Sequence, residues 1–320
     1  MTRQPPAVVV IGESVMDVIA GPAGKGSVTP GGSALNVAVA LGRLEVPVQF
    51  VTALGADGYG DQILAHLRTA VVEVVSAGQA GAGTSVATAR PAADGSATYD
   101  LDVTWNLHTD VSVAEAGLLH AGSLALFLEP GASRVREILE TARQRGAVVS
   151  LDPNIRPSLL PPRQEVRRQF ENLCAHADIV KLSDEDASWL YPGLTPGEVV
   201  GTLLRLGVSL VGLTAGADGS LLASGAHLVR VPPVPARVVD TIGAGDAYMS
   251  GLLYKVLELD LADVSRGPGS FPEDTLRAVG AFAALAAAIT VTRRGADPPY
   301  LSQLRSSLPV ATDDQPQEAE

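Results

Sequence analysis

With 320 residues, 46% of them hydrophobic and 18% charged, the chain is long enough for one large α/β domain or two ordinary ones and too apolar to be disordered. A formal net charge of -12 argues against a nucleic-acid ligand, whose binding needs a basic face that releases counterions, and leaves open a small neutral substrate or a Mg-bound nucleotide. Cys174 is the single cysteine, so no intrachain disulfide is expected, and a free thiol suits a reducing, cytoplasmic compartment.

The first predicted strand, AVVVIGE at 7–13, holds an apolar run too short for the centre of a signal peptide. The Gly- and Pro-rich stretch GPAGKGSVTPGG after Asp17 is a candidate for loop or strand in a flap. Apolar periodicity predicts helices over 33–44 and 58–70, with a strand at 48–55 between them. Residues 84–103 break the rhythm and read as a hairpin that turns around Ala93, Asp94 and Gly95. Strands are then expected at 124–128 (LALFL), 147–152, 179–184 and 210–214, separated by helices near 133–145, 163–176 and 196–206.

Met249, Leu252, Leu253, Val256 and Leu257 recur at helical spacing, which predicts an amphipathic helix starting near Asp246. The Ala-rich stretch Ala278–Val291 is too short for a membrane span and suits a buried helix. Strands alternating with helices predict an α/β fold, a mainly parallel sheet covered on both faces. One domain over 1–308 is expected, with lid segments about 14–30 and 84–105. The acidic tail 309–320, with almost no apolar content, is expected to be disordered.

The strongest local signal is DTIGAGD at 240–246. Its glycines fall at a helix N-terminus, where unpaired N–H groups and the positive dipole end make an anion site, and Gly243 and Gly245 carry no side chain to block a phosphate. Asp246 beside that site is either a general base or an ordinary helix cap. A second signal is GGSALNVAVALGRLEVPVQFVTALGADGYGDQI at 31–63. There Asn36 is the one strongly polar side chain of an apolar helix before Arg43; it is a structural amide or a hydroxyl contact in a cleft. Asp17 and Glu129 fall just after predicted strands, at the carboxyl ends where open α/β sheets place ligands.

Together these segments resemble the ribokinase-like, or PfkB-type, carbohydrate kinases. Residues 31–55 match the N-terminal signature of that family and 240–246 its C-terminal one; DPNIRP at 152–157 and KLSDEDASWLYP at 181–192 look most like its fructokinase branch. The resemblance implies a three-layer ribokinase-like fold with a small β-flap, and ATP-dependent phosphorylation of a sugar hydroxyl with Asp246 as base. It implies an anion hole at Gly243, Ala244 and Gly245, and sugar contacts from Asp17, Gly32, Asn36 and Glu129, with Asn154 and Arg156 at substrate or phosphate. TAGADG at 214–219 matches a nucleotide turn, implying Thr214, Gly216 and Gly219. Ser183 and Asp186 stand where the family has the Asn and Glu of a motif that organises Mg and phosphate, a departure that leaves a shorter carboxylate. The places of a monovalent cation such as K+ are Asp240, Ile242, Thr290 and Gly295, with Pro299 where a Ser can complete the site. Fructose is the first choice of sugar, ahead of 2-keto-3-deoxygluconate and ribose, and a homodimer through the flap is a family expectation.

Three rival readings meet specific obstacles. IGESVM, not G-x-G-x-x-G, follows the first strand, which disfavours a dinucleotide-binding dehydrogenase. GPAGKGS lacks Ser or Thr directly after Lys25 and is no P-loop, and the five histidines show no pair at zinc-ligand spacing. A non-catalytic sugar-binding sensor on the same fold remains as the alternative from another class, opposed by the intact GAGD turn.

Overall fold

The computed structural model describes residues 7–19, 26–78, 81–91, 97–108, 116–259 and 271–307, with the single positions 111, 113, 264, 267 and 269. The turn expected at Ala93–Gly95, the first five residues of the Gly- and Pro-rich stretch and the acidic tail lie outside the described residues. Strands β1 (Ala7–Ile11), β4 (Val48–Thr52), β5 (Glu73–Ser76), β8 (Ala116–Gly122), β9 (Val148–Asp152), β10 (Ile179–Ser183), β11 (Leu210–Thr214), β12 (Ser220–Ser224) and β13 (His227–Val231) form one sheet. Its order is β13-β12-β11-β10-β9-β8-β1-β4-β5. All pairs from β5 to β11 are parallel, and only β11–β12 and β12–β13 are antiparallel.

Helices α1 (Ser33–Arg43), α2 (Gly58–Arg68), α7 (Ala244–Leu257) and α8 (Glu273–Thr290) bury one face of this sheet with Val8, Val10, Leu118, Val148, Ile179 and Leu210. Helices α3 (Gly131–Gln144), α4 (Arg163–Cys174), α5 (Asp184–Leu190) and α6 (Pro196–Arg205) cover the other, against Val149, Leu151, Val180, Leu182 and Val211. Strand alternation sends successive side chains to opposite faces, so one β-rich segment supplies both cores. A short α9 (Leu301–Ser307) closes the chain against the Leu44–Phe282 side of α1 and α8.

A second sheet, ordered β3-β2-β6-β7, stands apart from the first. It is built from β2 (Val15–Ile19), β3 (Ser27–Gly31), β6 (Ser85–Pro91) and β7 (Ala97–Asp102). Asp57, the N-cap of α2, accepts from the Thr84 hydroxyl and N–H at 2.8 Å each, fastening the root of β6 to the body.

The structure corrects three expectations. LALFL is not a strand: Ser123, at φ 56°, turns the chain out of β8 into a 3₁₀ turn, Ser123–Leu126, whose apolar side chains pack under the sheet. The strand is the preceding AGLLHAG. Asp17 does not follow β1 but sits in the middle of β2, opposite Thr29 of β3. Helix α7 begins at Ala244, with Gly243 as its N-cap, rather than at Asp246.

Candidate active site

Gly243 adopts a left-handed backbone, φ 75°, and a Cβ there would meet Ala296 at 2.6 Å; both facts require glycine. Ala296 is held from behind by Arg43 at the end of α1, which donates to the Asp297 carboxylate and the Pro298 carbonyl at 2.5 Å and stacks on Tyr300. Beyond Gly243, the Ala244 N–H already donates to Thr241 O at 3.2 Å, so this member of the expected anion hole is engaged. Among the described residues, the N–H groups of Gly243, Gly245 and Asp246 have no acceptor and remain the open donors of the turn.

Asp246 is the third residue of α7 and does not cap it. Its carboxylate turns instead to α1: Oδ1 accepts from the Ser33 hydroxyl and Oδ2 from the Asn36 amide, both at 2.7 Å. Burial pushes its pKa up, against the opposing pull of Ser33, Asn36 and the Lys181 charge. A buried carboxylate kept as an acceptor, with a raised affinity for protons, is the equipment of a general base. Asn36 therefore presents its N–H to the Asp246 side chain, a partner that neither expected reading of this amide named.

Lys181 approaches from below. Its Nζ lies 2.7 Å from Asp152 Oδ2, both side chains at 4% exposure or less, and 3.1 Å from where a Cβ on Gly245 would stand. Gly245 thus leaves room for an ammonium under the anion turn. Burial opposes that charge, but Asp152, with Asp186 and Asp246, outweighs it and raises the ammonium's pKa. Among the described residues, buried Asp152 Oδ1 has no hydrogen-bond partner.

The other expected residues divide. Gly32, at φ 111°, links β3 directly to α1, and a Cβ there would meet Glu13 O at 2.6 Å. Asp17 lies against Gly31, whose missing Cβ leaves space for its carboxylate. Arg156 acts electrostatically on both Asp17 and Glu13, which places its charge at the foot of the flap. Asn154, at φ 35°, gives its carbonyl to Arg156 at 3.4 Å.

Glu129 is drawn away: it accepts from Ser133 N–H at 3.0 Å and pairs with Arg136 at 2.8 Å, fixing the start of α3, although it still borders a pocket with Leu54, Trp105 and Asn106. Ser183 and Asp186 form a capping box on α5, and the second Asp186 oxygen accepts from Ile155 N–H at 2.8 Å. Each oxygen of this carboxylate thus accepts one backbone N–H, which ties the residue expected to organise Mg and phosphate to the start of α5.

Thr214 ends β11 opposite Ser183. Gly216 and Gly219 both have positive φ, and Gly219 packs on Val231 O where no Cβ fits. Asp240 accepts from Gly295 N–H at 2.8 Å and Ile242 N–H at 3.1 Å, so these three are brought together, and the Gly295 bond leads in lowering the Asp240 pKa. Thr290 donates its hydroxyl to Ala286 O at 2.8 Å, and buried Pro299 carries no hydroxyl.

Sequence reasoning passed over Ser33, Asp152, Lys181 and Glu13. Glu13, 3% exposed, accepts from Ala125 N–H at 3.1 Å, and burial pushes its pKa up to about 7. Lys181 and Asp152 were visible as ionisable residues inside otherwise apolar strands, a signal of a buried pair.

The model of the pfkB family carbohydrate kinases matches residues 6–303. The chain belongs to that family. As a pfkB kinase it is 34% identical to Fructokinase-1 of Oryza sativa subsp. japonica over 286 residues, 84% of each chain. It is 31% identical to a fructokinase of Rhizobium leguminosarum bv. trifolii over 254 residues, 77% of each. A fructokinase from Xylella fastidiosa, solved with bound ATP, superposes with a TM-score of 0.82 at 27% identity, covering 95% of this chain and 98% of that one. The three-layer fold and the carbohydrate kinase activity expected from the motifs both hold.

Proposed function

We propose that this pfkB kinase transfers the γ-phosphoryl group of ATP to the 6-hydroxyl of D-fructose, with Asp246 as base. The observation that carries the reading is the Asp246 carboxylate, buried beside the open N–H groups of Gly243 and Gly245 and gripped by the helix that grows out of the flap. Fructose is favoured because the relatives named fructokinase align over most of the chain.

In this reading the sugar lies at the foot of the flap, near Asp17, Gly32 and Arg156, with its reacting hydroxyl at Asp246. Phosphoryl transfer is loose, so the hydroxyl proton leaves late and a carboxylate suffices as acceptor. The open N–H donors at the start of α7 and the Lys181 ammonium meet charge developing on the transferred group. In the same reading Thr214, Gly216 and Gly219 border the nucleotide.

Among the described residues no group of three or more His, Cys, Asp or Glu side chains can hold a metal. In this reading a Mg2+ would arrive with ATP, keep most of its waters and neutralise phosphate charge. A monovalent cation would rely on backbone oxygens near Asp240 and Gly295. Self-association through the flap belongs to the same proposal, since Ile19 and Val28 are 46% and 41% exposed on that sheet.

A coupled ADP-release assay with fructose, ribose and 2-keto-3-deoxygluconate tests the reading, and fructose is expected to have the highest kcat/KM. A win for either rival by about tenfold would overturn the sugar assignment and leave the kinase. Sugar binding without ADP release would favour the non-catalytic sensor.

A further inference from the structure

We propose that Ser33 is a positioning residue for Asp246, its hydroxyl holding the carboxylate in one orientation and in its ionised form. The proposal rests on Asp246 being the base of the reaction above. Ser33 is the first residue of α1 and follows Gly32 and β3 without a break, so the flap root sets where the hydroxyl stands. Its Oγ reaches Asp246 Oδ1 at 2.7 Å across 213 residues of sequence, with Ser33 at 8% and Asp246 at 9% exposure. An O–H donor to a buried carboxylate at that distance is charge-assisted, and removing it leaves an anion that water cannot easily re-solvate.

The charged and polar groups around Asp246 give this bond its weight. From α1 come Ser33 and Asn36, each with one donor. From β10 comes the Lys181 ammonium, and from β9 Asp152, whose negative charge works against ionisation of Asp246. Asp186 on α5 and His120 on β8 face Lys181 rather than Asp246. Of the two direct donors, Asn36 has a second, acceptor end to offer a sugar, whereas the one proton of the Ser33 hydroxyl is already given to Asp246. Ser33 thereby fixes one carboxylate oxygen and leaves the remaining lone pairs for a substrate hydroxyl.

The test compares wild type, Ser33→Ala and Ser33→Thr. For each, the pH profile of kcat/KM, ATP affinity and melting temperature are measured on one preparation, and the Asp246 carboxylate is titrated by infrared difference spectroscopy against Asp246→Asn. In Ser33→Ala the acid limb and the carboxylate titration should both move to higher pH by about one unit, on the order of tenfold lower activity at a fixed pH on the limb. ATP affinity should stay unchanged, and Ser33→Thr should restore the wild-type profile. A well-folded Ser33→Ala whose carboxylate titrates as in wild type would overturn the proposal, and so would a loss of melting temperature with no movement in pH. The infrared titration needs no substrate, so it decides the point even if the wild type turns over none of the sugars; that failure would count against the proposed function instead. Should Ser33→Ala not fold, Ser33→Cys, a weaker donor of similar size, replaces it with the same expected direction.

Discussion

On the sheet face covered by α3 to α6, the residues of β8 to β11 stay apolar to the strand ends: Leu119 and Ala121, Val149 and Leu151, Val180 and Leu182, Val211 and Leu213. On the opposite face the same strands start with Leu118, Val148, Ile179 and Leu210 but continue into His120, Ser150, Asp152 and Lys181. Asp152 ends β9, and its partner Lys181 brings its ammonium under Gly245 in the first turn of α7. Burying an aliphatic side chain stabilises by about 1.5–3 kcal/mol, whereas a buried ion loses several kcal/mol of hydration that only a close partner offsets. One face therefore acts as scaffold along its whole length, and the other gives up part of its apolar burial to carry charge to Asp246.

The largest expected effect comes from breaking the polar face at its focus. Asp246→Asn removes the proton acceptor, and kcat should fall on the order of 10²- to 10⁴-fold. The fold should persist, because Asn36 can turn its amide over and the Ser33 hydroxyl can still donate to the new carbonyl oxygen. Nucleotide affinity should change little, since the Gly243 and Gly245 N–H donors stay in place. Near-normal kcat in a well-folded Asp246→Asn protein would remove Asp246 from the role of base.

The second effect makes the polar face resemble the scaffold face. Lys181→Met alone leaves Asp152 buried without its partner and should cost about 3–5 kcal/mol of stability. Adding Asp152→Asn neutralises both members and should recover most of that loss in a urea melt. A double variant as unstable as the single one would show that the pair is not a mutual compensation of charge.

The same contrast explains what the sequence could and could not reveal. Apolar periodicity exposed the longer helices, though not the short α5 and α9, and most parallel strands, and the spacing of Gly243, Gly245 and Asp246 marked the anion turn because every part of it is local. β8 was hidden because His120 and its glycines make AGLLHAG look like loop; the buried histidine pairs with Ser150, its register partner on β9, at 3.1 Å. LALFL misled because a short apolar run under a sheet and a strand within one look alike. Asp17 belongs to a strand that pairs with β6 far along the chain, which no local pattern records. Ser33 and Lys181 acquire meaning only by meeting Asp246 and Gly245 in space.

The smallest effect tests the place where the two faces meet, the chain just after β1. Glu13 lies there, 3% exposed, with its pKa pushed up to about 7 by burial that outweighs its hydrogen bonds to backbone and to Ser123. In the unfolded chain the same carboxyl titrates near 4.5. Between these values the folded protein binds the proton and the unfolded chain has lost it, so this group makes stability fall as pH rises from about 4.5 to 7 and level off above. Glu13→Gln keeps a neutral side chain of the same size, removes that slope, and should raise the melting temperature more at pH 8 than at pH 5. The sign is specific, because a carboxylate held ionised by Arg156 would give the opposite trend, with stability lost on acidification. Melting curves of wild type and Glu13→Gln across that range separate the two, and a Gln variant destabilised most at pH 8 would mean that Glu13 is buried as an anion.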